Sequence, residues 1–301
     1  MTKQLLRNIS ICSIVLLILI SVFAGVGCVD QGEEPVTEGA EAEATEETLT
    51  GSIIVKGSDT VLPLSQAEAE DFMIENPETS VTIIGGGSGV GVAALIDDEV
   101  EIAMTSRLMK ESEVEEAEAN GVTPLRHEIA IDGIAVIVNP ENPVNELTYD
   151  QLKGIYDGSI SNWADVGGDD RKIAVMSRDS SSGTYEYFKE EILEDEAYRQ
   201  DALTQPSTGA IVQEVSQNEG AIGYIGFAYL DESTKAISLD SGEGFVEATE
   251  ENIISGDYPL ARPLQYYTNG EPEGLTKEYI DFVMSPTGQA IVSEVGYFPV
   301  A

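Results

Sequence analysis

Short apolar runs alternate with amphipathic stretches from residue 51 onward. Ile53-Ile54-Val55 predicts a buried strand, followed by a helix over 62–74 with Pro63 tolerated in its first turn. Val81 to Ile84 predicts a second strand and Val92 to Ile96 a helix; Ile102 to Met104 predicts a third strand, ahead of an acidic helix over 111–119. Ile129 to Val138 is the most apolar run of the folded part. Beyond it, helices are expected over 147–156, 185–193 and 208–218, with a Gly-punctuated strand over 220–226. A return strand at Leu264 to Tyr267 and helices over 276–284 and 287–295 close the chain. Strands and helices alternating through short turns predict an α/β fold on a mostly parallel sheet, with ligands at the strand C-terminal ends. No repeat of fixed period is present.

Three of these strand-to-helix turns share one chemistry. Ser58-Asp59-Thr60, Gly85-Gly86-Gly87-Ser88-Gly89 and Ser182-Gly183-Thr184 are small and polar, and each precedes a helix. The first N–H groups of a helix lack internal partners and carry the positive end of its dipole, which suits an anion. Arg178, four residues before Ser182, adds a planar cationic fork matched to two oxygens of a tetrahedral anion. Taken alone, such a turn reads better as an ordinary capped helix, with Ser182 or Thr184 at the N-cap and Arg178 in solvent. Together, if they converge, they form an anion site that requires neither metal nor cofactor. Asp132 interrupts the apolar run at 129–138, where an ionised carboxylate is costly unless paired. It is either a paired structural carboxylate or an acceptor at a ligand site.

The ends and the charge narrow the class. Lys3 and Arg7 precede an apolar run to about Val26, and Ala24, Gly25 and Gly27 precede Cys28. Residues 1–28 therefore read either as a secretory signal with a lipobox-like end, making Cys28 the lipidated residue, or as an uncleaved membrane anchor. Residues 29–50 are acidic, lack basic side chains and read as a disordered linker of about 25 Å that tethers the folded part outside the cytoplasm. The 301 residues carry 15 basic and 55 acidic side chains, a net charge of −40 that argues against nucleic acid and anionic membranes as ligands. With Cys12 and Cys28 the only cysteines and His127 the only histidine, neither a cysteine-rich metal site nor a histidine-based triad is expected. The glycine-rich turn lacks the Lys of a P-loop and fails the dinucleotide spacing. The carboxylates over 111–118 read as a solvated helix face.

In order, Gly57-Ser58-Asp59-Thr60-Val61, Gly85 to Gly89, Ser106-Arg107, Asp132-Gly133 with Asn139-Pro140, Arg178 with Ser182-Gly183-Thr184, and Gly220-Ala221-Ile222-Gly223-Tyr224 resemble the phosphate-binding protein of phosphate ABC importers. The likeness spans about 51–301. It implies a two-lobed periplasmic-binding-protein-like fold, each lobe a mixed sheet flanked by helices, with residues 51–134 plus 262–301 as one lobe and 135–261 as the other, joined by a two-crossing hinge. It also implies capture of inorganic phosphate by a monomer that is not an enzyme, and delivery to membrane permease subunits. Carried over position by position, the contacts are Ser58, Thr60, Val61, Ser88, Arg178, Ser182, Gly183 and Thr184, with Ser106 and Arg107 as further candidates. Two positions depart from the family pattern. Arg107 stands where some members carry the aspartate that accepts the phosphate proton, and Ser180 replaces a carboxylate two residues after the binding arginine. Asp132 is the expected substitute acceptor. Sulfate, molybdate or tungstate are the rival ligands, and a phosphatase or anion-sensing domain the rival class.

Overall fold

The computed structural model describes residues 48–300. Residues 1–28 with Cys28, and the linker up to residue 47, lie outside the described part. The first half runs β1 (Gly51–Gly57), α1 (Leu62–Glu75), β2 (Thr79–Ile84), α2 (Ser88–Ile96), β3 (Ile102–Thr105), α3 (Glu111–Ala119) and β4 (Pro124–Val138). The middle runs β5 (Glu146–Thr148), α4 (Tyr149–Asp157), β6 (Ala174–Arg178), α5 (Gly183–Glu191), β7 (Leu203–Gln205), α6 (Thr208–Gln217) and β8 (Ala221–Gly226). Short strands β9 (Lys235–Ala236), β10 (Ser238–Asp240) and β11 (Phe245–Val246) follow, then α7 (Glu250–Ser255), β12 (Ala261–Asn269), α8 (Gly274–Met284) and α9 (Pro286–Val295).

The main sheet has the order β2-β1-β3-β12-β4-β8-β6-β7, with β9 also paired to β4. β1 to β3 pair in parallel, as do β6 to β8. The expected mostly parallel sheet is corrected at its centre: β12 runs antiparallel to β3 and β4, and β4 antiparallel to β8. The cause is the late return of the chain, which inserts β12 between strands laid down earlier. The lobe sheets are joined rather than separate, because β4 is 15 residues long and changes partner along its length. Pro124 to Gly133 pair with β12, and Ile134 to Val138 with β8.

Each lobe has its own core. Ile53, Val55, Leu64, Phe72, Ile102, Met104, Ile129, Tyr266, Tyr279 and Val292 pack together in the first. Ile134, Val136, Val138, Leu152, Trp163, Val175, Phe188, Ile222 and Tyr224 pack in the second. β4 thus feeds both. α1 buries Leu64, Ser65, Glu68, Ala69 and Phe72, one stripe at helical spacing. α2 presses closely on β1: a Cβ at Gly91 would lie 2.3 Å from the Lys56 carbonyl oxygen, so only glycine fits. α2 also begins at Ser88, four residues before the predicted start, which puts Ser88 itself in the first turn.

Candidate functional site

The three turns meet. β1 delivers Ser58, which hydrogen-bonds the Met104 carbonyl of β3 at 2.9 Å, so the first turn sits over the sheet end. The Ser58 hydroxyl donates to Ser106 at 3.0 Å, the Ser106 amide donates to the Ser88 hydroxyl at 3.1 Å, and the Ser88 and Ser106 hydroxyls are 3.3 Å apart. Across from them lies the start of α5. A Cβ on Gly183 would be 2.3 Å from Ser88 Oγ and 2.6 Å from Ser106 Oγ, so the absence of a side chain there is what lets the two sides touch. The Thr60 and Thr184 hydroxyls are 2.9 Å apart. The Gly89 amide donates to the Ser181 carbonyl at 3.0 Å.

The helix starts leave donors free. α1 and α2 have no side-chain cap, and Ser182 caps only the Tyr185 amide of α5. Among the described residues, the amides of Thr60, Val61, Ser88, Gly183 and Thr184 donate to no carbonyl or side chain. Orphan amides in a buried setting call for an acceptor. Ser58, Thr60, Val61, Ser88, Ser106, Ser182 and Thr184 are all buried.

Two guanidinium groups flank this cluster. Arg178, at the end of β6, is buried and donates to Asp59 Oδ2 at 2.6 Å, to the Pro206 carbonyl and to Thr208, while its Nε has no partner among the described residues. Asp59 binds the Gly86 amide at 3.0 Å through its other oxygen, and its own carbonyl accepts from Tyr229 at 2.7 Å. One carboxylate therefore ties the first turn, the second turn and Arg178 together. The second cation is Arg262 on β12, which is not among the residues expected from the sequence. Arg262 donates through Nη2 to Thr184 Oγ1 at 2.9 Å and to Asp132 Oδ2 at 3.1 Å. Asp132 is fully buried, faces Arg262 and accepts from the Phe227 amide at 3.2 Å. Burial raises its carboxyl above the usual aspartate range, against the pull of Arg262 and that amide.

Arg107 lies beside the second turn, where a Cβ on Gly89 would be 3.7 Å from its Nη2, but its guanidinium is taken up by Glu113 through two hydrogen bonds of 2.6 and 2.7 Å. That pairing also removes Glu113 from the purely solvated face expected of α3. Arg107 and Arg262 line a cleft of about 660 Å³ beside the turns, together with Lys110, Arg126, Tyr187 and Lys189. None of the residues that carry the orphan amides lines this cleft. The aimed donors are the amides, not the side chains of the cleft. Asp59 and Arg262 were legible only as residue types; their partners are 119 and 130 residues away in the chain. His127 is half-buried, with Nε2 2.9 Å from the Thr268 hydroxyl, remote from the cluster.

Residues 42–287 match the family model of the PBP superfamily domain. The chain is 35% identical over 291 residues to the phosphate-binding protein PstS of Bacillus subtilis, covering 95% of this chain and 94% of that one. It is 34% identical to the phosphate-binding protein PstS of Pseudomonas aeruginosa, over 83% of this chain and 84% of that one. Among solved structures, a phosphate ABC transporter substrate-binding protein from Clostridium perfringens, with bound phosphate, superposes with a TM-score of 0.76 at 36% identity, over 83% of this chain and 100% of that one. An ABC-type phosphate transport receptor from Vibrio cholerae superposes with a TM-score of 0.69 at 35% identity, over 83% and 100% of the two chains. The chain belongs to the PBP superfamily and, within it, to the family of the phosphate-binding protein PstS.

Proposed function

We propose that this chain is the extracytoplasmic receptor of a phosphate ABC importer, which closes on inorganic phosphate and presents it to the permease subunits in the membrane. The observation that carries the reading is the set of orphan amides at Thr60, Val61, Ser88, Gly183 and Thr184, gathered from three helix starts beside Arg178. Charge-assisted hydrogen bonds contribute about 1.5–3 kcal/mol each, so this many aimed donors hold a dianion firmly in spite of a net charge of −40.

In this reading the hydroxyls of Ser58, Thr60, Ser88, Ser106, Ser182 and Thr184 complete the shell and Arg178 neutralises the ligand charge. Asp132 accepts a hydrogen bond from the O–H that hydrogenphosphate carries and sulfate lacks, which discriminates between the two. Residues 51–134 with 262–301 form one lobe and residues 135–261 the other, so ligand contacts from both favour the shut form. Cys28 is the tethering position, with residues 29–50 as the leash.

Calorimetric titration of the protein with phosphate, sulfate, molybdate and tungstate tests this directly. Tight binding of phosphate alone, without release of phosphate from a generic monoester, is the expected result. Absence of phosphate binding, or a preference for another oxyanion, overturns it.

A further inference from the structure

β4 and β12 place Asp132 directly opposite Arg262 in the sheet register. Both side chains are buried, at 0% and 2% exposure, and Arg262 meets Asp132 Oδ2 through Nε and Nη2 at 3.3 and 3.1 Å. The same Nη2 reaches Thr184 on α5, and Thr184 meets Thr60 from the opposite wall. The pair is therefore fixed against both sides of the proposed phosphate site. Asp132 also opens towards it: a Cβ placed on Gly226 would lie 3.2 Å from both Asp132 oxygens and 3.1 Å from the Thr60 methyl. Oδ1 has one protein donor, the Phe227 amide, and so retains an acceptor lone pair.

We propose that Arg262 is a specificity-determining residue of this site, acting through Asp132: it keeps that side chain in the carboxylate form, which accepts a proton-bearing oxyanion and repels one that has no proton. The inference rests on the phosphate reading above.

The reason is electrostatic. A carboxyl buried in an apolar strand tends to keep its proton, and burial is the larger influence on Asp132. The other titratable groups that face it are Tyr187 on α5, Tyr229 just beyond β8, Tyr258 before β12 and Tyr297 beyond α9. Burial raises all four hydroxyls above the ordinary tyrosine range, so at neutral pH none carries charge. Arg262 is the full charge that opposes protonation of Asp132. Without it Asp132 becomes a neutral acid whose O–H donates to sulfate as readily as to phosphate, and the discrimination is lost.

Sulfate is the probe, because it stays a dianion without a proton between pH 5.5 and 8.5. The full protein and its Arg262→Gln, Arg262→Lys and Asp132→Asn variants are titrated with sulfate across that range, and each also with phosphate. In R262Q sulfate affinity is expected to rise about tenfold for each unit that pH falls, until Asp132 is fully protonated. The wild type shows the same edge only at lower pH. R262K, which keeps the charge and loses the fork, lies between them, and D132N binds sulfate without pH dependence. A mere loss of structure would weaken binding at every pH and would not create this slope. R262Q and R262K curves that superimpose on wild type overturn the proposal, and if R262Q does not fold, an unmoved edge in R262K does so alone. Failure of the wild type to bind phosphate sinks the underlying reading instead, whatever sulfate does.

Discussion

The hydroxyls of Thr60 and Thr184 stand 2.9 Å apart although 124 residues separate them in the chain. Thr60 closes the turn after β1, and Thr184 opens α5 on the other side of the cluster. Each also has a second anchor: the Thr60 carbonyl accepts from Tyr297, and Thr184 accepts from Arg262. Thr184→Val keeps the shape and removes the hydroxyl, so the Arg262 guanidinium loses one acceptor. A hydrogen bond to a charged group contributes about 1.5–3 kcal/mol. Phosphate affinity measured by calorimetry is therefore expected to fall at least tenfold, with the fold unchanged by circular dichroism.

Arg178 is held from the facing wall by Asp59 rather than from its own turn, where Ser180 replaces the carboxylate expected from the family pattern. Arg178→Ala is expected to abolish tight phosphate binding and ligand-induced compaction together. Small-angle scattering that still shows compaction with phosphate would contradict this role.

Gly183 tolerates no side chain. An added methyl would meet the Ser88 and Ser106 hydroxyls at 2.3 and 2.6 Å, both fixed by their own hydrogen bonds. Gly183→Ala is expected to lower phosphate affinity more than tenfold while shifting the melting temperature little, since the strain falls between the walls and not within a core.

Glu68 gives a pH signature to stability. It is fully buried on α1, accepts from Tyr266 at 2.9 Å, and burial raises its carboxyl from 4.5 to about 8, against that hydrogen bond. Between these values the folded chain holds a proton that the unfolded chain has lost. Its contribution is present below pH 4.5 and disappears as pH rises through 8, a change of a few kcal/mol at 1.36 kcal/mol per unit. Thermal melts should show Glu68→Gln with a flatter profile over this window and a higher melting temperature than wild type at pH 8.5. A Glu68→Gln profile that keeps the wild-type slope between pH 5 and 8 would refute it.

The turns were legible because glycine, serine and threonine between an apolar run and a helix leave few other local structures open. Ser58, Thr60, Ser88 and Ser182 to Thr184 could be named for that reason. Arg262 was not legible: it stands in Ala261-Arg262-Pro263-Leu264, where nothing local distinguishes it, and its meaning comes from the strand it is laid against. Asp59 lay inside a recognised turn, yet only the fold brings Arg178 to it. The mixed strand directions were hidden for a related reason. Alternation of strand and helix reports local period, whereas the antiparallel setting of β12 depends on where a distant segment returns.

β4 passes through both cores without interruption, with Ile129 and Ala130 in one and Ile134, Val136 and Val138 in the other. A single backbone ladder thus carries the melting of either half into its neighbour. Heating should give one calorimetric endotherm, and a core truncation at Ile129 should lower amide-exchange protection at Val136 as well as in its own surroundings.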